Sequence, residues 1–231
     1  MIFDPVYFLF IAPAVILGIW AQIRIRSTYA VAQGLAAPLS GAAAARHVLD
    51  SAGLEGVQIE QIPGHLSDHY DPREKVLRLS SEVYRSRSLA AVGIAAHEAG
   101  HAIQDARAYA PLVIRNAAVP VARFGSGMAI WMVILGAFLS ANNPALGFLV
   151  PLGILLFSGF VFFQLVNLPV EFNASSRAKT QLVELGIVSP QELVYVNKVL
   201  NAAALTYVAA TLQAVLTLLY LILRFGGGDR E

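Results

Sequence analysis

Residues 145–166 read ALGFLVPLGILLFSGFVFFQLV, an apolar run without one charged side chain. At about 1.5 Å of rise per helical residue, such a run crosses a hydrocarbon core about 30 Å thick. A helix this long and apolar all round belongs in lipid rather than on a soluble core. Three further stretches, 6–23, 124–141 and 202–223, meet the same requirement. With 57% apolar and 13% charged residues in 231, the chain has the composition of an integral membrane protein with four spans.

Downstream of the quoted run, Leu168-Pro169 kinks rather than ends the helix, because residues 170–185 keep helical spacing until Gly186 closes it. Ser189-Pro190-Gln191-Glu192 is then a capping box with proline at the first helical position, and it starts the helix that becomes the fourth span. Upstream, the Asn142-Asn143-Pro144 loop is short enough to make the second and third spans antiparallel neighbours. Asp4, with no Lys or Arg, precedes the first span, and Arg24 and Arg26 follow it, the order expected of a retained anchor rather than a cleaved signal.

Arg24, Arg26, Arg107, Arg115, Arg123, Arg177, Lys179 and Lys198 would all share one membrane face, against Arg224 and Arg230 on the other. The positive-inside tendency therefore places residues 24–117 and 167–201 in the cytoplasm and both termini outside. The expected plan is a transmembrane helix in 1–23, a cytoplasmic part in 24–117, a hairpin of two spans in 118–166, cytoplasmic helices in 167–201, and a fourth span with a Gly226-Gly227-Gly228 tail in 202–231.

The first cytoplasmic part is thin for an independent core and is expected to lean on the membrane helices. Ser40 reads as the cap of a helix over 41–52, with Arg46 and Asp50 on one face and Gly53 as its stop. Val57, Ile59 and Ile62, then Val76-Leu77-Arg78-Leu79, alternate apolar and polar residues on either side of a turn at Asp71-Pro72, the pattern of a small sheet. Ser86 or Ser88 caps a further helix running to about Ala108. The net charge of +1 gives no reason to expect a nucleic-acid partner. The absence of cysteine excludes disulfides and thiolate metal sites.

That last helix carries His97-Glu98-Ala99-Gly100-His101. Side chains four apart share a helical face, so His97 and His101 can offer two imidazole nitrogens to one ion such as Zn2+. Glu98, about 100° round the helix, is placed to take a proton from metal-activated water and pass it to a leaving amine. The pattern is that of zinc-dependent hydrolases. A catalytic ion needs a third protein ligand. The metzincin continuation would put glycine at 104 and histidine at 107, where this chain has Gln104 and Arg107. A carboxylate from a second helix is the common alternative, and Glu171, about one turn beyond the third span, is the strongest candidate over Glu184 and Glu192. Its competing role is an interfacial ion pair with Arg177 or Arg123.

Two segments, His97-Glu98-Ala99-Gly100-His101-Ala102-Ile103-Gln104 and Asn167-Leu168-Pro169-Val170-Glu171-Phe172-Asn173-Ala174-Ser175, closely resemble the neutral zinc metallopeptidase family of bacterial membranes, as does the region from Gly64 to Ser80. The resemblance extends over nearly the whole chain. It implies one Zn2+ held by His97, His101 and Glu171, with Glu98 as catalytic base. It also implies a mainly α integral membrane protein with four transmembrane helices and a small α+β, zincin-like (gluzincin-like) cytoplasmic portion, set in the plasma membrane. The family is similar in outline to membrane peptidases related to the bacterial heat-shock protease, in which an Asp commonly follows the ligand Glu by four residues. Here that position is Ser175, so the group that orients the histidines is open, and Asp105, one turn past His101, is a candidate.

By analogy with zinc peptidases, the strand at Val76-Leu77-Arg78-Leu79 serves as an edge that holds extended substrate. Pro63-Gly64 places His65 and His69 in a polar loop rather than a second metal site. Trp20, Trp131, Tyr7 and Tyr220 read as span residues and interface anchors. The expected function is peptide hydrolysis by zinc-activated water, by an endopeptidase acting on polypeptides, membrane-associated ones included, with the lipid bilayer as its setting. The alternative is an inactive membrane scaffold or adaptor that keeps a structural zinc. A transporter is disfavoured by spans almost free of ionisable residues. A site-two type intramembrane protease would need a Leu-Asp-Gly ligand segment, which the chain lacks.

Overall fold

The computed structural model describes residues 4–225; the Gly226-Gly227-Gly228 tail and Arg230 lie outside the described residues. The helices are α1 (Pro5–Gln33), α2 (Gly41–Ser51), α3 (Ser81–Arg85), α4 (Leu89–Ala106), α5 (Ala110–Leu139), α6 (Leu149–Glu184) and α7 (Pro190–Phe225). The strands are β1 (Gln58–Ile62), β2 (His69–Asp71) and β3 (Val76–Ser80). Four helical segments, Pro5–Gln33, Ala110–Leu139, Pro144–Glu184 and Pro190–Phe225, are long and apolar enough to cross a membrane; three of the expected spans fall within one of them each, and the second, 124–141, overlaps Ala110–Leu139.

The chain divides into two compact units. One is formed by the described residues of Met1–Trp20, Ile114–Leu168 and Thr206–Glu231, the other by Ala21–Val113 and Pro169–Leu205. In the first unit, α5 and α6 form the antiparallel hairpin expected from their short connection, since Gly136 abuts Val150 while Gly125 abuts Leu156. A Cβ at Gly125 would lie 2.5 Å from the Leu156 carbonyl oxygen, so the missing side chain is what lets the two backbones touch. Leu9, Phe138, Leu155 and Leu223 point outward, an apolar surface suited to lipid. Trp20 and Trp131 are likewise exposed. Tyr220 is not: it is buried against Tyr7 and Phe10, with its hydroxyl donating to Asp4 Oδ2 at 2.6 Å.

The second unit is built around α4. Its small residues Ala91, Ala95, Ala96 and Ala99 are buried in a core that also takes Val48 and Leu49 of α2 and Leu182 of α6. The caps fall where side-chain oxygens can satisfy free backbone N–H groups. Ser40 Oγ accepts from Ala43 N on α2, and Ser88, rather than Ser86, accepts from Ala91 N on α4. Gly53, with φ +74°, follows the end of α2. The capping box before α7 is closed in both directions: Ser189 N donates to Glu192 Oε2 at 2.8 Å, and Glu192 N donates to Ser189 Oγ at 3.3 Å. α6 continues unbroken through Pro169 and ends before Gly186, whose φ is +63°.

The sheet has the order β1-β3-β2, with β1 parallel and β2 antiparallel to β3. The expectation of β3 as a substrate-holding edge is therefore corrected. β3 is the central strand, paired on both sides, with Leu77 and Leu79 fully buried. Arg78 on β3 ties the sheet together, donating to Glu60 of β1 at 3.2 Å, to Asp71 of β2 at 3.1 Å, and to Glu74. The loop reading holds for His65 and fails for His69, which begins β2. The short α3 is an element that the sequence pattern did not announce.

Candidate metal centre

Two backbones must come close for side chains on different helices to share an ion. α4 and α6 do so at Gly100, in the middle of the histidine motif. A Cβ there would lie 2.7 Å from the Ala174 carbonyl oxygen and 3.2 Å from Ala174 Cα. The contact sits between His97 and His101 on one helix and three residues past Glu171 on the other, so it sets the distance across which the three side chains face.

His97, His101 and Glu171 converge there, each with a ligand atom within 4.8 Å of the others. Glu171 Oε2 lies 3.3 Å from His97 Nε2 and 3.8 Å from His101 Nε2. Tetrahedral zinc with bonds of about 2.0–2.1 Å separates its ligand atoms by about 3.3–3.4 Å, so these residues fit the ion that the motif suggests. The donor set, two imidazoles and a carboxylate, suits the same ion. The two rings meet edge to face at 82°, with centroids 4.8 Å apart.

The other face of each imidazole is held. Gln104 Nε2 donates to the Val170 carbonyl at 2.8 Å and to Asn173 Oδ1 at 3.0 Å. Its Oε1 is thereby aimed at His101 Nδ1, 3.0 Å away. A carbonyl oxygen can only accept, so Nδ1 donates to it and Nε2 is left facing Glu171. Ser175 Oγ stands 3.1 Å from His97 Nδ1 in the equivalent place. Asp105, the expected orienting group, is instead taken up by the sheet: its Oδ2 accepts from the Tyr70 hydroxyl at 2.7 Å and from Lys75. Arg177, a competing partner for Glu171, donates through Nε to Asn173 Oδ1 at 2.7 Å.

Burial is the largest influence on His97 and opposes its charged form. The Glu171 and Glu98 carboxylates outweigh it and raise the imidazole above its ordinary value. A cation would compete with that proton for the same nitrogen. Burial also pushes the Glu98 carboxyl up to about 7; His97 opposes the rise, and Glu171 and Asp68 add to it. A cation at the centre would draw it down again. Asp68 is fixed by Ser80 N at 2.8 Å, at the end of β3. His65 pairs with Glu82 at 3.0 Å, and His69 Nδ1 meets the Ser67 carbonyl at 2.9 Å. Neither joins a cluster of three metal-ligating side chains among the described residues.

A family model described as "Putative neutral zinc metallopeptidase" matches residues 7–226, and the chain belongs to that family. The "Putative membrane protease YugP" of Bacillus subtilis (strain 168) is 45% identical over 227 residues, covering 97% of this chain and 99% of that protein. No solved structure matches the chain.

Proposed function

We propose that this protein is a membrane-embedded zinc peptidase whose ion is held by His97 Nε2, His101 Nε2 and the Glu171 carboxylate. The observation that carries the reading is the convergence of these three groups, from two helices, at spacings suited to one tetrahedral ion. Zinc, when bound, supplies the Lewis acidity that polarises a scissile carbonyl and makes water acidic enough to ionise near neutral pH.

The chain's own residues supply the rest. Gln104 and Ser175 keep the two imidazoles turned so that their Nε2 atoms face inward. Glu98 takes the proton from the attacking water as the oxygen–carbon bond forms. It then returns the proton to the amide nitrogen as the carbon–nitrogen bond breaks. Polypeptides are the substrates, cleaved endoproteolytically. α6 carries Glu171 on the same unbroken helix as the third apolar span, which supports substrates at or near the bilayer. The basic-residue distribution supports a cytoplasmic site in the plasma membrane.

Metal analysis of the purified full chain tests the proposal. Wild-type protein should carry one zinc per chain, and His97→Ala and Glu171→Ala should each lose it. Equal zinc in all three proteins would overturn the ligand assignment.

A further inference from the structure

A second polar site lies in the same unit as the metal cluster, on a different face of α4. His97 and His101 turn to the metal cluster, whereas Ile103 and Arg107, the residue that caps the end of α4, border a separate space. There a cleft of about 330 Å3 opens, bordered also by Ser51 of α2 and by Ser176, Arg177 and Thr180 of α6. That volume is at the lower end of the range for small-molecule sites, about 300–1,000 Å3.

Its charge is out of balance. Two guanidinium groups face one cleft, and among the described residues neither makes an ion pair. Burial and the neighbouring Arg107 charge both lower Arg177 from its ordinary value. Glu184 borders the cleft but accepts from Gln181 Nε2 at 3.1 Å, and Gln181 is itself held by Ser51 Oγ at 2.9 Å. Among the described residues Arg177 spends only Nε, on Asn173, which fixes the plane of its fork and leaves its terminal nitrogens for a ligand. Two adjacent forks with hydroxyls around them match a tetrahedral oxyanion, and against the one Glu184 carboxylate they leave the cleft a positive charge in excess.

The cleft is also wired to the metal cluster. Asn173 Oδ1 receives both Arg177 Nε at 2.7 Å and Gln104 Nε2 at 3.0 Å, and Gln104 Oε1 holds His101 Nδ1. Ordering Arg177 therefore orders the residue that orients one imidazole.

We propose that the cleft containing Arg107 and Arg177 binds a phosphate group, either free or as the headgroup of an anionic lipid, and that its occupancy steadies His101 through Arg177, Asn173 and Gln104. The coupling rests on the metal-site reading above; the phosphate site does not.

The test uses the full chain. Inorganic phosphate is titrated calorimetrically into detergent-solubilised protein. Nanodiscs of phosphatidylcholine with and without phosphatidylglycerol are then compared by native mass spectrometry for retained lipid. Wild-type protein is expected to bind, and Arg107→Gln and Arg177→Gln should each weaken binding by about tenfold or more, the scale of a lost charge-assisted contact. Lys198→Gln, away from the cleft, should not. Retained phosphatidylglycerol that phosphate displaces identifies a lipid source, and phosphate binding without lipid preference identifies the free anion.

Binding of neither probe, or Arg107→Gln binding as wild type does, would overturn the site. For the coupling, saturating phosphate should tighten zinc binding at least threefold in wild type and leave Arg107→Gln unchanged; an unchanged zinc affinity in wild type would overturn it. Should zinc fail to bind at all, the metal reading falls while the phosphate titration still decides the cleft.

Discussion

Replacing Gly100 with alanine adds a methyl group where α4 meets α6. The new carbon would lie 2.7 Å from the Ala174 carbonyl oxygen, and ordinary contact begins at 3.4 Å, so the helices must part by about 0.7 Å. Metal–ligand bonds tolerate only about 0.2 Å, and Glu171 moves with Ala174 on the same helix. In an unobstructed helix, alanine would be favoured over glycine by about 1 kcal/mol. Overpacking costs about 1–3 kcal/mol, and here backbone rather than a flexible side chain stands in the way, so the clash prevails. Gly100→Ala is expected to unfold at lower temperature and to bind zinc at least tenfold more weakly in a chelator competition. Wild-type zinc affinity in a folded Gly100→Ala protein would refute the claim that this contact sets the ligand spacing.

Gln104→Leu removes the acceptor that fixes His101 and should cost about 10–100-fold in zinc affinity with little change in helix content by circular dichroism. Ser189→Ala opens the capping box before α7 and should lower stability by about 1 kcal/mol in denaturant titration, leaving zinc affinity as it was. Asp71 is held below its ordinary value of 3.8, first by the Arg73 N–H and also by Arg78. Its contribution to the β2–β3 turn is thus full above that value and is lost as pH falls through the lower folded one. Hydrogen exchange at the β2–β3 amides should accelerate across that acidic window in wild type, and much less in Asp71→Asn.

What could be read in the sequence was what local chemistry determines. Spans follow from length and hydropathy, and Ser40, Ser88 and the Ser189–Glu192 box reach backbone groups within three residues. The histidine pair and Glu171 were legible because helical spacing and the nearby end of an apolar run constrain where they point. The sheet order was not, because β1 and β3 pair across the loop that contains β2, and nothing within Val76–Ser80 distinguishes a central strand from an edge. Gln104 and Asp105 illustrate the same limit one residue apart. Both lie within about 60° of His101 around the helix, so periodicity cannot choose between them. Packing chooses: α6 lies on the side of Gln104, while Tyr70 and Lys75 from the sheet side claim Asp105. Gly100 could be read as small, but the backbone it admits belongs to a helix some seventy residues away.

The most direct test of zinc-dependent hydrolysis is Glu98→Gln in the full chain, assayed for zinc content and for cleavage of an unfolded polypeptide in the same preparation. Glutamine keeps the size of the side chain and removes its capacity to accept a proton from water. Zinc content equal to wild type, with turnover reduced by about 10²-fold or more, is the expected result. Undiminished cleavage by Glu98→Gln, or wild-type protein that neither holds zinc nor cleaves, would contradict it.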